Sequence, residues 1–592
     1  MYTVLPLILF ALIMFCLVAR GSGYRRAFLG AAVCFGLLLT AATELLSLFS
    51  ALRYPTLVVF WGGVSLVAGL CLLPTWACLK TRKRWLENPG FLVGICAVLA
   101  TTLLIALVSP PNNYDSMTYH MARVVHWIQN RSVAHYPTHI TRQLYSAPWA
   151  EYAIMHLQVL SGGDRFANLV QWFSLCGCIT GTSLIVREFG ATARIQALAA
   201  VITVTIPMGI LQASSTQNDL VVSFWLVCFV YFGILLVTST DMLSAVACGG
   251  SLGLAILTKG TAYLFALPFL IWMVCAGIKL NRYTFIKPIL AIGAMALTLN
   301  AGHYWRNYAL WGNPLTTDSE KLTNDRITFQ STVSNLTRNI ASNTWTPIPY
   351  INKLQFQCVA FIHESLGIGL SDPATSLDEE SFTPRKTSLD EDYAGNGLHL
   401  SLGILAMGAL IVRRNSLSRS LLYYTLSLTS GFLLFCVLLK WQPWGTRLML
   451  PLFVLASPLI AVALPLDSKK WLVSSFATFM LLCSVPWLLG NQTRPLWGDQ
   501  SILSADRTSL YFIKRPELES YYSRAAEHVT NNGSCDAIGI LSSSGNAYEY
   551  PLWVLLNSHP GKMPRIEHLN VTNVSGSITL HDFRPCSIFE IL

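Results

Sequence analysis

Fourteen apolar segments, most of them long enough to cross a bilayer, divide this chain and leave it few folds to choose from. They fall at about residues 2–19, 27–48, 56–78, 90–108, 166–186, 195–213, 219–238, 242–258, 261–279, 287–305, 397–412, 420–439, 447–465 and 471–490. Hydrocarbon offers backbone N–H and C=O groups no partner, so a spanning segment must bond its own, which about 20 residues of helix accomplish. The expectation is an all-α polytopic membrane protein. Composition agrees: only 12% of the 592 residues are charged and 53% are hydrophobic, against roughly 25% charged in soluble domains. Met1–Val18 lacks a basic start and an A-x-A-like site, so a cleaved leader is not expected.

The net charge of +10 invites a comparison with nucleic-acid binders, but its distribution excludes that class. Lys and Arg sit in short gaps: Arg20, Arg25 and Arg26; Lys80, Arg82, Lys83 and Arg84; Arg187 and Arg194; Lys279, Arg282 and Lys287; Arg413, Arg414 and Arg419; Lys469 and Lys470. If the segments alternate, all these gaps fall on one side, which the positive-inside rule makes cytoplasmic. Residues 109–165, 306–396 and 491–592 then face outward. The expected organisation is three N-terminal helices (1–89), a transmembrane core (90–490) and an extracytoplasmic tail (491–592), in a plasma membrane of bacterial type. In the tail, 517–530 reads as an amphipathic helix and Ala537–Leu541 as a buried strand opening a small α/β unit. Cys535 and Cys586 lie in this exported tail, where either a disulfide or two thiols would be tolerated. The other cysteines lie mostly in apolar runs and read as small core residues.

Asp115 stands out in Ser109-Pro-Pro-Asn-Asn-Tyr-Asp-Ser-Met-Thr-Tyr-His-Met-Ala-Arg123, one of few acids in the first 300 residues. A helix from there puts Asp115, Tyr119, Ala122 and His126 on one face, with Arg123 beside them, and Met117, Met121, Val124, Val125 and Ile128 opposite. That pattern predicts an interfacial helix lying on the bilayer with its acid turned from lipid. The same loop carries His120, Arg131, His135, His139, Arg142 and Glu151, a density unusual for a connector. The four histidines do not make a metal set by spacing, because no i, i+4 pair is secure across Pro137.

Further polar runs end other segments on the same side. In Ala213-Ser-Ser-Thr-Gln-Asn-Asp219, Asp219 is either an N-cap or a site acid. Lys259 ends Gly253-Leu-Ala-Ile-Leu-Thr-Lys-Gly-Thr261. Arg306 lies in His303-Tyr-Trp-Arg-Asn-Tyr-Ala-Leu-Trp-Gly-Asn-Pro-Leu315, and Arg447 in Lys440-Trp-Gln-Pro-Trp-Gly-Thr-Arg-Leu-Met-Leu-Pro451. Cations gathered on one rim suit the negative charge that grows on a departing phosphate.

In their order and sidedness these motifs resemble the GT-C superfamily, the polytopic glycosyltransferases that use polyprenyl-phosphate sugars, across about residues 90–465. The resemblance implies a lipid-phosphate sugar donor, an acceptor hydroxyl on a glycan, lipid or protein, and Asp115 as general base of an inverting transfer. Glu151 and Asp219 are candidates for a second acid, Arg123, Lys259, Arg306 and Arg447 for the phosphate site, and Tyr119, His120 and His126 for further contacts. The family often has an adjacent acidic pair, whereas Ser116 follows Asp115 here, so no cofactor is assigned and a divalent metal stays open. The acidic runs Asp378-Glu-Glu380 and Asp390-Glu-Asp392 suit a cover over the site. A polysaccharide polymerase or ligase would depend more on His363 and Glu364. A transporter would carry charges at mid-membrane, not at segment ends.

Overall fold

The computed structural model describes the whole chain except residues 1, 75–88, 316–321, 378–379, 414–417, 465–468, 532–534, 559–562 and 579–582. The basic cluster at 80–84, the end of the third segment, Arg414 and the first two residues of the 378–380 run therefore lie outside the described residues. Each predicted apolar segment is helical. Among the described residues, nine stretches are long and apolar enough to cross a membrane, with Thr261–Trp311 counted once; Ala193–Val204, Met242–Ile256, Gly397–Val412 and Leu450–Ala463 are apolar but shorter.

Most ends agree within three residues, the tenth segment runs on to Trp311, and two boundaries differ for local reasons. The sixth segment breaks after Ala193–Val204 and resumes as Pro207–Gln212, because Pro207 has no N–H to continue the ladder. The thirteenth starts later, at Leu450, with Pro451 in its first turn, and Gly445–Leu448 forms a separate turn of helix carrying Arg447. The centre of the bundle is Asp219–Ser239, buried on nearly every side and packed against Leu169–Glu188, Met242–Ile256, Thr261–Asn281 and Leu450–Ala463. Helices in a bilayer gain by close approach at small residues. Gly177 allows one: a Cβ there would fall 2.3 Å from the Phe224 ring.

The first large loop contains Met121–Asn130, Arg142–Tyr145 and Trp149–Ser161, and its opening turn, Ser116–His120, is wound as π-helix. Its apolar side is not left open to lipid: Met117, Met121 and Val124 are wholly buried in protein. The tail covers this region. The Glu549 N–H donates to the Met117 carbonyl at 3.0 Å, and Gln129 exchanges bonds of 3.0 and 2.9 Å with the Ile566 carbonyl and N–H. The apolar side of the pattern therefore meets protein, and His126, placed with the acid by a uniform helical step, turns to the tail instead.

The tail is the small α/β unit expected. Strands Ala537–Leu541 (β1), Arg565–His568 (β2) and Ser587–Glu590 (β3) form a parallel sheet in the order β2-β1-β3, with helices Glu519–Asn531 and Tyr550–Ser558 alongside. Parallel neighbours bring their starts together, which sets Cys535 beside Cys586 in a disulfide with 5.5 Å between Cα atoms.

With all other non-disulfide cysteines replaced, Ser520→Cys in the tail is expected to react with a membrane-impermeant maleimide in intact cells, and Ser418→Cys only after lysis. The reverse pattern would invert the assigned sidedness.

Candidate active site at the loop-bearing rim

Asp115 enters its position from a turn fixed by its own neighbours. The Asn113 side chain accepts the Ser116 N–H at 2.8 Å, and the Asn112 amide donates to the Thr493 carbonyl at 2.9 Å. The Asp115 carboxylate receives one guanidinium nitrogen of Arg447. The other terminal nitrogen of Arg447 donates to Asp392 at 2.6 Å, so a single guanidinium bridges two carboxylates from loops almost 280 residues apart. The Gln217 amide lies 3.5 Å from Asp115 and 3.4 Å from Asp392, beneath the same pair. Arg142 stands 3.7 Å from the other Asp115 oxygen and stacks over the Tyr119 ring, 4.7 Å from its centroid. Lys514 of the tail pairs with Asp390 and lies 3.6 Å from Asp392.

The surroundings set the two acids apart. Burial opposes ionisation of Asp115, but Arg447, Arg142 and His120 outweigh it and hold the carboxyl well below the usual carboxylate range. At Asp392 burial prevails, aided by the neighbouring charges of Asp390 and Asp115, and its proton affinity is raised despite Arg447 and Lys514. Asp115 is thus the standing anion while Arg447 holds it. The Arg447 guanidinium fills the space between these two carboxylates, so a divalent cation there would have to displace it, and no step proposed for transfer uses one.

Lys259 donates to Asp219 at 2.5 Å, and this pair lies close enough to Arg447 and Asp115 for their charges to interact. Asp219 therefore joins the site, as a lysine partner. Around this cluster several buried polar atoms have no hydrogen-bond partner: Gln217 Oε1, Asn218 Oδ1, Asp219 Oδ2, Thr446 Oγ1 and Arg447 Nε. Such atoms are costly to bury unless something polar meets them.

Other expected residues are committed elsewhere. Arg306 donates to both oxygens of Glu44 at 2.7 and 2.8 Å and to the Tyr152 hydroxyl at 2.7 Å. Arg123 donates to Glu151 at 2.7 Å and to the carbonyls of Ser146 and Ala147. Neither guanidinium is presented to the Asp115 cluster. Glu151 is also bonded by His120; burial resists its charge, yet Arg123 and His120 bring its carboxyl down to about 2. Arg123, Glu151 and His120 form a structural ion pair beneath the site, with Tyr119 tilted over His120 at 4.1 Å. His126 turns away to Glu549 of the tail. His363 bonds Ser334 at 2.8 Å, and Glu364 is exposed, both apart from this cluster.

Sequence reasoning missed Glu44 and Arg494, noted Arg142 and Gln217 only as members of polar runs, and read Asp392 only as part of an acidic run. Arg494 forms a wholly buried pair with Glu391 and also donates to Ser214 Oγ (3.0 Å), the Leu211 carbonyl (2.9 Å) and Asn112 Oδ1 (3.1 Å). It pins together the first loop, the 213–219 turn, the 306–396 loop and the base of the tail. A cavity of about 860 Å³ opens elsewhere, between the first loop and the tail, lined by Gln129, Asp164, Tyr550 and Trp553 among others, and none of the Asp115 cluster borders it.

Fold and cluster together define a helical membrane protein with a buried acid–guanidinium site at one end of its bundle. No protein-family model matches the chain, and no curated protein matches it either. Among solved structures it is similar to ArnT from Cupriavidus metallidurans bound to undecaprenyl phosphate, at 13% identity over 83% of this chain and 87% of that one, with a TM-score of 0.47. It is also similar to the archaeal oligosaccharyltransferase AglB from Archaeoglobus fulgidus, in complex with an inhibitory peptide and a dolichol-phosphate, at 12% identity over 82% of this chain and 65% of that one, with a TM-score of 0.41. These are likenesses of overall shape, and function rests on the side chains.

Two outcomes follow for stability. Arg494→Met leaves Glu391 buried without its cation, and a loss of about 3–5 kcal/mol is expected, read as a lower unfolding midpoint in detergent; an unchanged midpoint would contradict the pinning role. Glu151 has its folded value lowered from 4.5 to about 2, so its contribution is complete above pH 4.5 and is lost as pH falls toward about 2. Glu151→Gln should remove that component of the acid dependence; an identical acid limb in wild type and variant would count against it.

Proposed function

We propose that the chain is a membrane glycosyltransferase that moves a sugar from a polyprenyl-phosphate donor to an acceptor hydroxyl on the extracytoplasmic face, with inversion. The observation that carries this reading is Arg447 shared between Asp115 and Asp392. A phosphate group is a stronger bidentate partner for a guanidinium than a single carboxylate oxygen. Donor binding draws Arg447 toward the phosphate and loosens its hold on Asp115. The cation that kept Asp115 a poor base is thereby turned to the leaving group, and the proton affinity of Asp115 rises when it is needed.

In the step itself the acceptor oxygen forms a bond to the anomeric carbon as the carbon–oxygen bond to phosphate breaks. The phosphate leaves with the electron pair, held by Arg447 and Lys259, and the acceptor proton passes to Asp115. Asp219 positions Lys259. Gln217, under both carboxylates, orients them. Arg123 and Arg306 are given structural roles, for their carboxylate partners already hold them. Sugar and acceptor identities are not assigned.

Asp115→Asn is expected to lower transfer by at least about 10²-fold while expression and insertion stay near normal, assayed with purified lipid-linked donor. Full activity in that variant would remove the proposed base. Arg447→Ala and Lys259→Ala are expected to weaken donor binding, whereas Arg306→Ala should act through stability. Unchanged donor affinity in both of the first two would place the phosphate elsewhere.

A further inference from the structure

His126 was expected beside the acid, and its actual partners lie more than 400 residues away in sequence. Its Nε2 is 2.6 Å from Glu549 Oε1, and His568 Nε2 is 3.2 Å from Glu549 Oε2. One ligand atom from each of the three side chains lies within 4.8 Å of the other two, and all three residues are buried. They come from the first large loop, from the turn before Tyr550–Ser558, and from the end of β2. The walls are aromatic: Tyr136 stacks on His126 at 4.3 Å, and Trp553 meets its ring edge-on at 4.8 Å. Glu549 is held from behind, by Trp553 Nε1–H at 3.0 Å and by the Gln143 amide at 2.5 Å.

We propose that His126, Glu549 and His568 form a binding site for a divalent cation of the zinc type, which fastens the tail onto the first large loop. Two imidazoles and one carboxylate are a donor set that zinc accepts and that magnesium or calcium, which prefer oxygen, do not. Tetrahedral zinc at roughly 2.0–2.2 Å from each donor separates its ligand atoms by roughly 3.4 Å. The 2.6 and 3.2 Å pairs, which use different Glu549 oxygens, would open toward that spacing, and the remaining pair already lies within 4.8 Å. On binding, the cation takes the place of the imidazole N–H groups that face Glu549, and each histidine coordinates through Nε2 as the neutral tautomer with its proton on Nδ1. A water completes the fourth position. Gln143 and Trp553 keep Glu549 aimed, as outer partners of metal ligands commonly do.

The consequence reaches the other site through the backbone. The Glu549 N–H bonds the Met117 carbonyl, two residues from Asp115. A cation at this position would set how firmly the tail seats against the turn that carries Asp115. The proposal stands apart from sugar transfer and holds whatever reaction the rim performs.

The test uses full-length protein purified in detergent without chelator. Elemental mass spectrometry should find about one zinc per chain. After chelator treatment, zinc chloride should raise the unfolding midpoint by roughly 5 °C or more, and magnesium chloride should not. His568→Ala and Glu549→Gln should lose both the zinc and the shift. Wild-type protein with no zinc above buffer and no zinc-dependent shift would overturn the proposal and leave a hydrogen-bonded cluster only. A shift that survives in both variants would overturn it as well, by placing the metal elsewhere. The wild-type measurements decide even if a variant fails to fold.

Discussion

A buried charge has to be paired, and at this rim Arg447 does the pairing for two acids at once. Its guanidinium reaches Asp115 in the first large loop and Asp392 in the long loop before the eleventh apolar segment. Asp115 and Arg447 are both less than one-tenth exposed, so neither could remain ionised there alone without a large desolvation cost. The rest of the rim follows from this. Asp392 brings Asp390 and, through them, Lys514 of the tail. Arg447 lies on a single helical turn, Gly445–Leu448, between Trp444 and Pro451. Four separate loop segments are thus tied to one another by ionic contacts, in addition to the apolar core that runs through the first loop and the tail.

Such a network does two things at once. It fixes the relative position of loops that no regular element joins, and it keeps an acid and several cations together where the proposed donor phosphate would bind. The stabilising and the proposed catalytic roles divide along the network. Glu391–Arg494 and Glu44–Arg306 are closed pairs whose hydrogen bonds are spent on protein. Asp115–Arg447–Asp392 and Asp219–Lys259 are surrounded by side-chain atoms without partners, and the Glu151–Arg123 pair keeps some as well, at Glu151 Oε2, Arg123 Nε and His120 Nε2. What singles out the candidate site is one guanidinium shared by two acids from different loops.

Much of the bundle was legible because hydropathy is a local property. The helical segments follow from composition over windows of about 20 residues; Pro207 and Pro451 imposed breaks, and the tenth segment ran on to Trp311. Asp115, Asp219, Lys259 and Arg447 were legible as a group because each ends a segment on the same side. Their true partners were not. Arg306 carries the same outward signature as Arg447, yet Glu44, inside the second helix, claims it. Nothing in a one-dimensional pattern reveals that contact between residues 262 positions apart. His126 was read on the acid's face because a uniform 100° step was assumed, whereas Ser116–His120 is π-wound and the tail supplies partners from residues 549 and 568. Asp392 lay in a loop without periodicity, so only its charge could be noted.

The central claim is that Arg447 changes partner, from Asp115 to a donor phosphate. The most direct measurement is a structure of the full-length protein in lipid with a polyprenyl phosphate bound. The account predicts phosphate oxygens against Arg447 and Lys259, with the guanidinium drawn off Asp115. A phosphate bound elsewhere, with the Asp115–Arg447–Asp392 bridge intact, would contradict it.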